Sequence, residues 1–496
     1  MSFALLISVA IIATCGLVYE LIAGALASYL LGDSVTQFSL IIGVYLFSMG
    51  VGSFLSKYIN KKLLSTFITI EFLVGIVGGV SATVLFIAFE YVSYFKLLLF
   101  LFVFIIGTFV GLEIPLLMRI LKDRYEFKDL VSKIFTVDYI GALFASVAFP
   151  LFLAPQLGLM RTAFLFGMFN IAVGLWTLYL FRKEMPDYHL KKSFGVLSIF
   201  LLVGGFIYSD KLLQFAESNK YADPIIFQKK SPYQKLVLTY GNDLKLFING
   251  NLQFSSMDEY RYHEALIHPA MLSHNNPRSV LVLGGGDGFA VREILKHKSV
   301  ERVRLVDLDP LMTKIFSTNP RLTQMNENSL SSDKVEVIND DAFVWLKTKN
   351  KEQYDLIIID FPDPSNFSLG KLYSETFYKL VARALKEHGR LAVQSTSPYF
   401  ARKSYWCIGQ TMEAVGLKIK PYHAYIPSFG EWGYFLGAKE NFGISNKLIK
   451  GLKFINTDVL SNMFIFPPDM SRVKTEVNKL NNQILVRYFE DEWSQY

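Results

Sequence analysis

The chain has 496 residues, 52% of them hydrophobic, and a positive mean hydropathy. That is too apolar for one soluble globule and long enough for two or three domains. Its formal charge of +7 is spread out with no Lys/Arg block, which excludes a basic nucleic-acid tail, and Cys15 and Cys407 alone exclude a disulfide framework.

Apolar residues crowd into positions 3–209. Seven stretches stand out, 4–31, 37–56, 65–89, 96–121, 134–156, 161–181 and 194–209, and most reach the ~20 residues that cross a bilayer as helix. The first is not expected to be a cleaved signal, because no positive segment precedes it and further spans follow. Glu20, Glu71, Glu113 and Asp138 lie inside these stretches. Each is costly in lipid and is expected to face the bundle interior or an interface. They serve either as a polar path or cationic-amine site, or as glue between helices. Gly43, Gly50, Gly52 and the Gly107/Gly111 pair favour glue, because small residues let helices pack closely.

Three loops are basic: Lys57, Lys61 and Lys62; Arg119, Lys122, Arg124, Lys128 and Lys133; Arg182, Lys183, Lys191 and Lys192. The positive-inside rule places them in the cytoplasm. Seven spans then put the C-terminal half outside, whereas six leave it in the cytosol, and the last stretch, with only 16 residues, is short.

Residues 211–224 read as a polar linker. From 225 to 256 short strands alternate with turns: 225–227, 234–240, the turn Gly241-Asn242-Asp243, 244–248, the turn Asn249-Gly250, and 252–254. Asn-Gly between apolar runs is a strong hairpin signal, so a small antiparallel β-domain is expected. Met257 to Met271 has helical spacing and carries Asp258, Glu259, Tyr260, Tyr262, His263 and Glu264. Its acids either favour the helix start or guard the approach of a cationic substrate.

A buried-strand run, Val280 to Leu283, stops at Gly284, Gly285, Gly286 and Gly288; a helical pattern follows, and the strand Val303 to Val306 ends in Asp307. Glycines let the backbone approach a ligand, and an acid ending the next strand can take both ribose hydroxyls. The spacing is the G-x-G-x-G of adenosyl-sulfonium enzymes and lacks the strict dinucleotide G-x-G-x-x-G. Within it stands Asp287, which either caps the helix start or repels a donor's carboxylate and attracts a bare ammonium.

Beyond it come a strand at 335–338 ending in Asp340 and Asp341, a helix from Ala342, and a strand at 354–359 ending in Asp360-Phe-Pro-Asp363-Pro364. A loop to Gly370, a helix over 374–387, a strand at 390–394, a helix around 400–415 and strands near 418–426 and 432–438 complete the pattern. Strand and helix alternate, so a largely parallel, doubly wound sheet is expected, with ligands at the carboxyl ends of its strands. One cleft would collect Asp287, Asp307, Asp341 and Asp360. The expected organisation is a polytopic all-α membrane bundle over 1–210, a linker and small β-domain over 211–256, a methyltransferase-like, Rossmann-like α/β domain over 257–440, and an extension over 441–496.

Gly284–Gly288 together with Asp360-Phe-Pro-Asp-Pro364 resembles the polyamine aminopropyltransferases, the spermidine synthases. Matching pieces are Ser231-Pro-Tyr-Gln234, Asn249-Gly-Asn-Leu-Gln253, Asp258-Glu-Tyr-Arg-Tyr-His-Glu264 and Asp341-Ala-Phe, within residues 224–440. The membrane half resembles, more loosely, the multi-pass extension of some bacterial members. The resemblance implies transfer of an aminopropyl group from decarboxylated S-adenosylmethionine, a co-substrate, to putrescine, with no other cofactor and no metal. It implies that Gln234 and Asp307 hold the ribose, Asp341 the adenine amino group and Asp287 the aminopropyl ammonium. Tyr262, Asp360 and Asp363 would surround the attacking amine, with Asp360 as base, and Gln253, His263 and Glu264 join the substrate-binding set. His263 also has the simpler reading of a packed helix histidine, and Tyr373 and Trp432 that of core or cleft wall.

Two departures bear on this. Asp307 stands where the family usually has Glu, though a shorter carboxylate still bridges two hydroxyls, and Phe429 stands where a tyrosine is common near the substrate loop, which leaves the acceptor open. Expected partners are a diamine, the sulfonium donor and a lipid bilayer, not nucleic acid, with self-association left open. Supply of donor favours a cytosolic catalytic half. The competing readings are an S-adenosylmethionine methyltransferase and a polyamine transporter or sensor.

Overall fold

The computed structural model describes residues 2–31, 34–92, 94–122, 126–218 and 221–495. Arg124 of the second basic loop and residues 219 and 220 of the expected linker lie outside them. The chain divides into two compact units, Met1–Ala222 and Asp223–Tyr496.

The first unit consists of helices α1 (Ser2–Leu31), α2 (Ser34–Leu55), α3 (Leu63–Tyr91), α4 (Phe95–Leu121), α5 (Phe127–Ala148), α6 (Gly158–Leu180) and α7 (Tyr188–Ser218). Between α5 and α6 runs a π-helical turn, Phe149–Leu157. Pro150 and Pro155 lack an N–H there, so the ordinary ladder cannot continue. Among the described residues six stretches are long and apolar enough to cross a membrane, with 127–180 counted as one. Their outer faces are apolar as well as their inner ones: Leu97, Leu143, Phe144, Leu197 and Phe200 are all exposed, so these helices are hydrophobic all round.

The last helix corrects the expectation of a short apolar stretch followed by a linker at 211. It runs 31 residues, because neither glycine nor proline interrupts positions 206–218 and the ladder continues through polar side chains. Close helix contacts occur where three of the five glycines place them. A Cβ on Gly107 would lie 2.8 Å from Ser48, and Gly52 and Gly111 leave no room against the backbones of Thr108 and Met49. Gly43 and Gly50 face open space instead, so they are not packing points within the bundle.

In the second unit, β1 (Ile225–Lys230), β2 (Lys235–Tyr240), β3 (Leu244–Ile248) and β4 (Asn251–Ser255) form an antiparallel sheet in chain order. Asn249 and Gly250, both at positive φ, close the β3–β4 hairpin. Register slips beyond it, with Phe247 opposite Leu252 and Leu246 opposite Phe254, so Gln253 is the extra residue of a bulge.

Helix α8 (Glu259–Leu272) leads into the second sheet: β5 (Ser279–Gly284), helix α9 (Phe289–Leu295), β6 (Arg302–Asp307), β7 (Val335–Asn339), β8 (Tyr354–Asp360), β9 (Leu385–Gln394), β10 (Lys418–Ile426) and β11 (Gly430–Ala438). The order is β10-β11-β9-β8-β5-β6-β7, parallel from β9 to β7 and antiparallel at the β11 edge. Val280–Leu283 and Leu356–Ile359 are wholly buried, which is why these central strands read as unbroken apolar runs. The helix before β9 ends at Ala384, three residues short of the expected 387, since Leu385 already pairs with Tyr354. The C-terminal segment is woven into this unit. Ile455, Leu460 and Met463 share a core with Val280 and Val282, and Leu485 shares another with Leu281.

Candidate active site

Strand order reverses beside β5: the chain moves from β5 to β6 and β7 on one side, then returns to β8 and β9 on the other. The carboxyl ends of β5 and β8 therefore open onto a crevice, the usual ligand position in such sheets. Gly284 lies opposite Asp360 in register. It adopts φ +80°, and a Cβ there would strike the Asp360 carbonyl, so only glycine brings the turn this close. Two residues on, a Cβ on Gly286 would lie 2.7 Å from the Asp307 carboxyl. The space instead lets Gly286 N–H donate to Asp307 Oδ2 at 3.1 Å, while Asp309 N–H donates to Oδ1 at 2.9 Å.

Asp287 Oδ1 accepts a bond from Phe289 N–H at 3.0 Å, in the first turn of α9. Across the crevice, Tyr262 from α8 donates its hydroxyl to Asp360 Oδ1 at 2.6 Å, and its ring packs against Tyr434 and Phe429. Asp363 accepts from Thr396 Oγ1 at 3.2 Å and from Gln394 Nε2 at 3.5 Å. Gln394 ends β9 and also bonds the Tyr373 hydroxyl at 2.9 Å and Trp432 Nε1 at 3.2 Å. Gln394 and Thr396 are absent from the sequence-based set. The available signal was Gln394's place at a parallel strand end.

Beneath the site lies a buried ionic chain. His263 Nδ1 donates to Glu259 Oε2 at 2.9 Å, Glu259 takes both terminal nitrogens of Arg292 at 2.9 Å each, and Arg292 Nε reaches Glu293 at 2.9 Å. Burial alone would push the His263 imidazole down, but Glu259 and the charges of Asp287 and Asp360 hold it above its ordinary value.

The carboxyls of the crevice are short of positive charge. Burial pushes Asp287 up to about 6, against the charge of His263 and with that of Asp360. Burial likewise takes Asp307 to about 6 in spite of the N–H groups of Asp309 and Gly286, and Asp363 to about 7 in spite of Gln394 and Thr396. Asp360 is raised by burial, with His263 and Tyr262 opposing. Tyr262 is pushed well above its ordinary value by burial and by Asp360, so it stays a hydrogen-bond donor.

The other sequence-derived candidates separate into two groups. Ser231 Oγ, in the turn ending at Gln234, donates to Asp309 Oδ2 at 2.8 Å and so ties that turn to the end of β6. Asp341 caps the next helix through Phe343 N–H at 2.8 Å and binds Lys371 Nζ at 2.7 Å. Burial would raise its carboxyl, but Lys371 and the backbone amides hold it below the usual range. Glu264 stands apart. Its carboxylate accepts the backbone N–H groups of Lys453, Phe454 and Ile455 at 2.7–3.0 Å, which anchors the C-terminal segment. Asp258 is similarly occupied by the backbone and hydroxyl of Ser428, and Glu259 by Arg292. The three acids expected as an anionic wall are thus committed to internal bonds.

Residues 259–447 match the spermine/spermidine synthase domain family. Over 496 residues, all of this chain and 99% of the relative, the sequence is 53% identical to a polyamine aminopropyltransferase of Leptospira interrogans. It is 51% identical to polyamine aminopropyltransferase 2 of Ralstonia nicotianae, over 99% of this chain and 98% of that one, and 35% identical to a polyamine aminopropyltransferase of Mycobacterium tuberculosis, over 99% and 96%. A solved spermidine synthase in complex with the transition-state analogue AdoDATO aligns with 55% of this chain and 89% of its own, at 26% identity and a TM-score of 0.46.

Proposed function

The chain belongs to the polyamine aminopropyltransferase family, and from that premise we propose that it transfers the aminopropyl group of decarboxylated S-adenosylmethionine to putrescine, yielding spermidine and methylthioadenosine. The observation that carries this reading is the pairing of Asp360, bonded to Tyr262 at 2.6 Å, with the acid-bearing glycine turn on the adjacent strand.

In this reaction the lone pair of an amine attacks the methylene beside the sulfonium. The carbon–sulfur bond breaks, its electron pair stays on sulfur, and the amine sheds a proton. The sulfonium is already a good leaving group, so the protein's tasks are alignment and an unprotonated amine. Alignment contributes roughly 7–11 kcal/mol in favourable cases. An alkylamine has a pKa near ~10.4, so only about one molecule in a thousand is free base at neutral pH. Raising that fraction costs up to ~4 kcal/mol, which a positioned carboxylate base offsets.

Asp360 is that base: its raised proton affinity narrows the gap to the amine, and the Tyr262 hydroxyl fixes one oxygen so that the other faces the acceptor. Asp363 holds the same amine. Asp287 pairs with the donor's ammonium, where S-adenosylmethionine would bring a carboxylate. Asp307 and Gln234 take the ribose, Asp341 the adenine amino group in competition with Lys371, and Gln253 joins the substrate-binding set. His263 acts as a buried cation that offsets Asp287 and Asp360. Glu264 is better explained as an anchor.

We place the first unit in a lipid bilayer, on the strength of its apolar stretches and exposed apolar faces, and the second in the cytosol with the donor. That takes an even number of crossings, as when 127–180 counts as one, and sets the third basic loop, 182–192, against the positive-inside rule. The deciding experiment incubates the detergent-purified full chain with decarboxylated S-adenosylmethionine and a panel of diamines and measures methylthioadenosine. Release that is fastest with putrescine is expected. Release only with S-adenosylmethionine, or none, defeats the reading.

A further inference from the structure

Within the helical unit a cavity of about 130 Å³ opens among α1, α2, α4 and α5, several times the roughly 10–15 Å³ that one water needs. Three carboxyl side chains line it, Glu20 from α1, Glu113 from α4 and Asp138 from α5, together with Tyr45 from α2. Among the described residues that line it there is no Lys, Arg or His. Tyr45 does not serve these acids as a donor, because its hydroxyl bonds the Gly16 carbonyl at 2.7 Å.

Glu113 is the telling member. It is 3% exposed, and its Oε1 has no hydrogen-bond partner among the described residues. Glu71 on α3 also has an unpartnered Oε1, but its Oε2 is tied to Asn170 on α6 at 3.2 Å as helix glue would be, whereas among the described residues no neighbouring helix bonds the Glu113 carboxyl. Pro115, two residues beyond Glu113, has no N–H, so the carbonyl of Gly111 also lacks its helical donor. Of the two, Glu113 lines the cavity and presents a surplus acceptor in a setting where unpaired polar groups are costly.

We infer that this cavity is a second amine site, which binds the ammonium end of an aliphatic amine inside the bundle. A small hard cation such as calcium wants about six to eight oxygens closed around it at roughly 2.3–2.6 Å. Here the acids come from three helices and the walls between them are aliphatic, Val110 and Leu117 among them. An alkylammonium matches that mixture: three N–H donors meet the carboxylates and its methylenes meet the apolar wall. The inference does not depend on which acceptor the soluble unit uses.

The test is equilibrium binding of radiolabelled putrescine and spermidine to the full chain in lipid nanodiscs. Two amines per chain are expected. Glu113→Gln removes one of them or weakens it at least tenfold, while Asp363→Asn affects the other. If the proposed function is wrong, the Asp363-dependent share disappears and the Glu113-dependent share stays. Should Glu113→Gln fail to elute as a single species, Glu20→Gln, at a less buried position, gives the same reading. Unchanged amine binding in a folded Glu113→Gln chain, or a site where sodium outcompetes putrescine, overturns the inference.

Discussion

Replacing Asp287 with Asn tests the electrostatic basis of donor choice. Two unit charges about 4 Å apart interact by roughly 4 kcal/mol at an effective dielectric near 20. Asp287 is only partly screened from water, so about half of that, ~2 kcal/mol, is a fair expectation, equivalent to roughly thirtyfold in affinity. Decarboxylated donor loses this attraction in the variant. S-adenosylmethionine carries both an ammonium and a carboxylate, so its attraction and repulsion nearly cancel and its affinity holds level or improves. The preference for decarboxylated donor, measured as the ratio of dissociation constants for the two compounds on the full chain, should fall about thirtyfold. Because Asp287 is held near 6, it is ionised above that pH and neutral below it. The wild-type preference should therefore fade between pH 7 and pH 5, and the variant should show no such slope. A ratio unchanged by the substitution, or a preference that grows on acidification, would refute the reasoning.

Asp360→Asn keeps the Tyr262 contact in shape and removes the base, so kcat should drop roughly 10²–10⁴-fold while donor binding, followed by calorimetry, stays within a few-fold. Asp363 has a folded-state value of about 7, above its unfolded one, so its ionisation weakens the fold as pH rises from about 4 to 7 and the penalty is complete above that. Asp363→Asn should accordingly raise the melting temperature of the full chain at pH 8, leave it unchanged near pH 4, and slow turnover. Arg292→Met leaves buried Glu259 with His263 alone, while Glu293 keeps Lys296 and His268, so one buried pair is broken at a cost of about 3–5 kcal/mol. A urea midpoint that does not move would show that the ionic chain under the site is not structural.

What could be read from sequence was whatever is written locally. The run Val280–Leu283, the glycines after it and the acids after each strand obey short-range rules of period and turn, and they fall at the carboxyl ends of the parallel strands of one sheet. What could not be read depends on partners far along the chain. Gln394 matters because β9 lies beside β8, a fact of strand order rather than spacing. Glu264 looked like a substrate ligand because its three amide partners are about 190 residues away. The reach of α7 into the expected linker had a simpler cause: polarity was taken as the end of a helix when nothing in the chain stops one there.

The crevice and the ionic chain below it are two halves of one electrostatic arrangement. Glu259, Arg292, Glu293 and His263 satisfy one another with good geometry, and with His263 charged their two negative and two positive groups cancel, so together they add little net charge to the site. Above them Asp287, Asp307, Asp360 and Asp363 are all raised by burial, which means that the folded chain holds them where they are poorly solvated and lack counter-charge. A carboxylate in that condition gains most from an arriving cation, because its desolvation has already been met by folding rather than by binding. The donor's sulfonium and ammonium and the acceptor's ammonium supply that missing charge. By the same argument the empty-handed acids strengthen Asp360 as a base before the amine arrives and lose that strength once the amine's positive charge is in place, which makes proton removal from the first ammonium the step most sensitive to any change in this cluster.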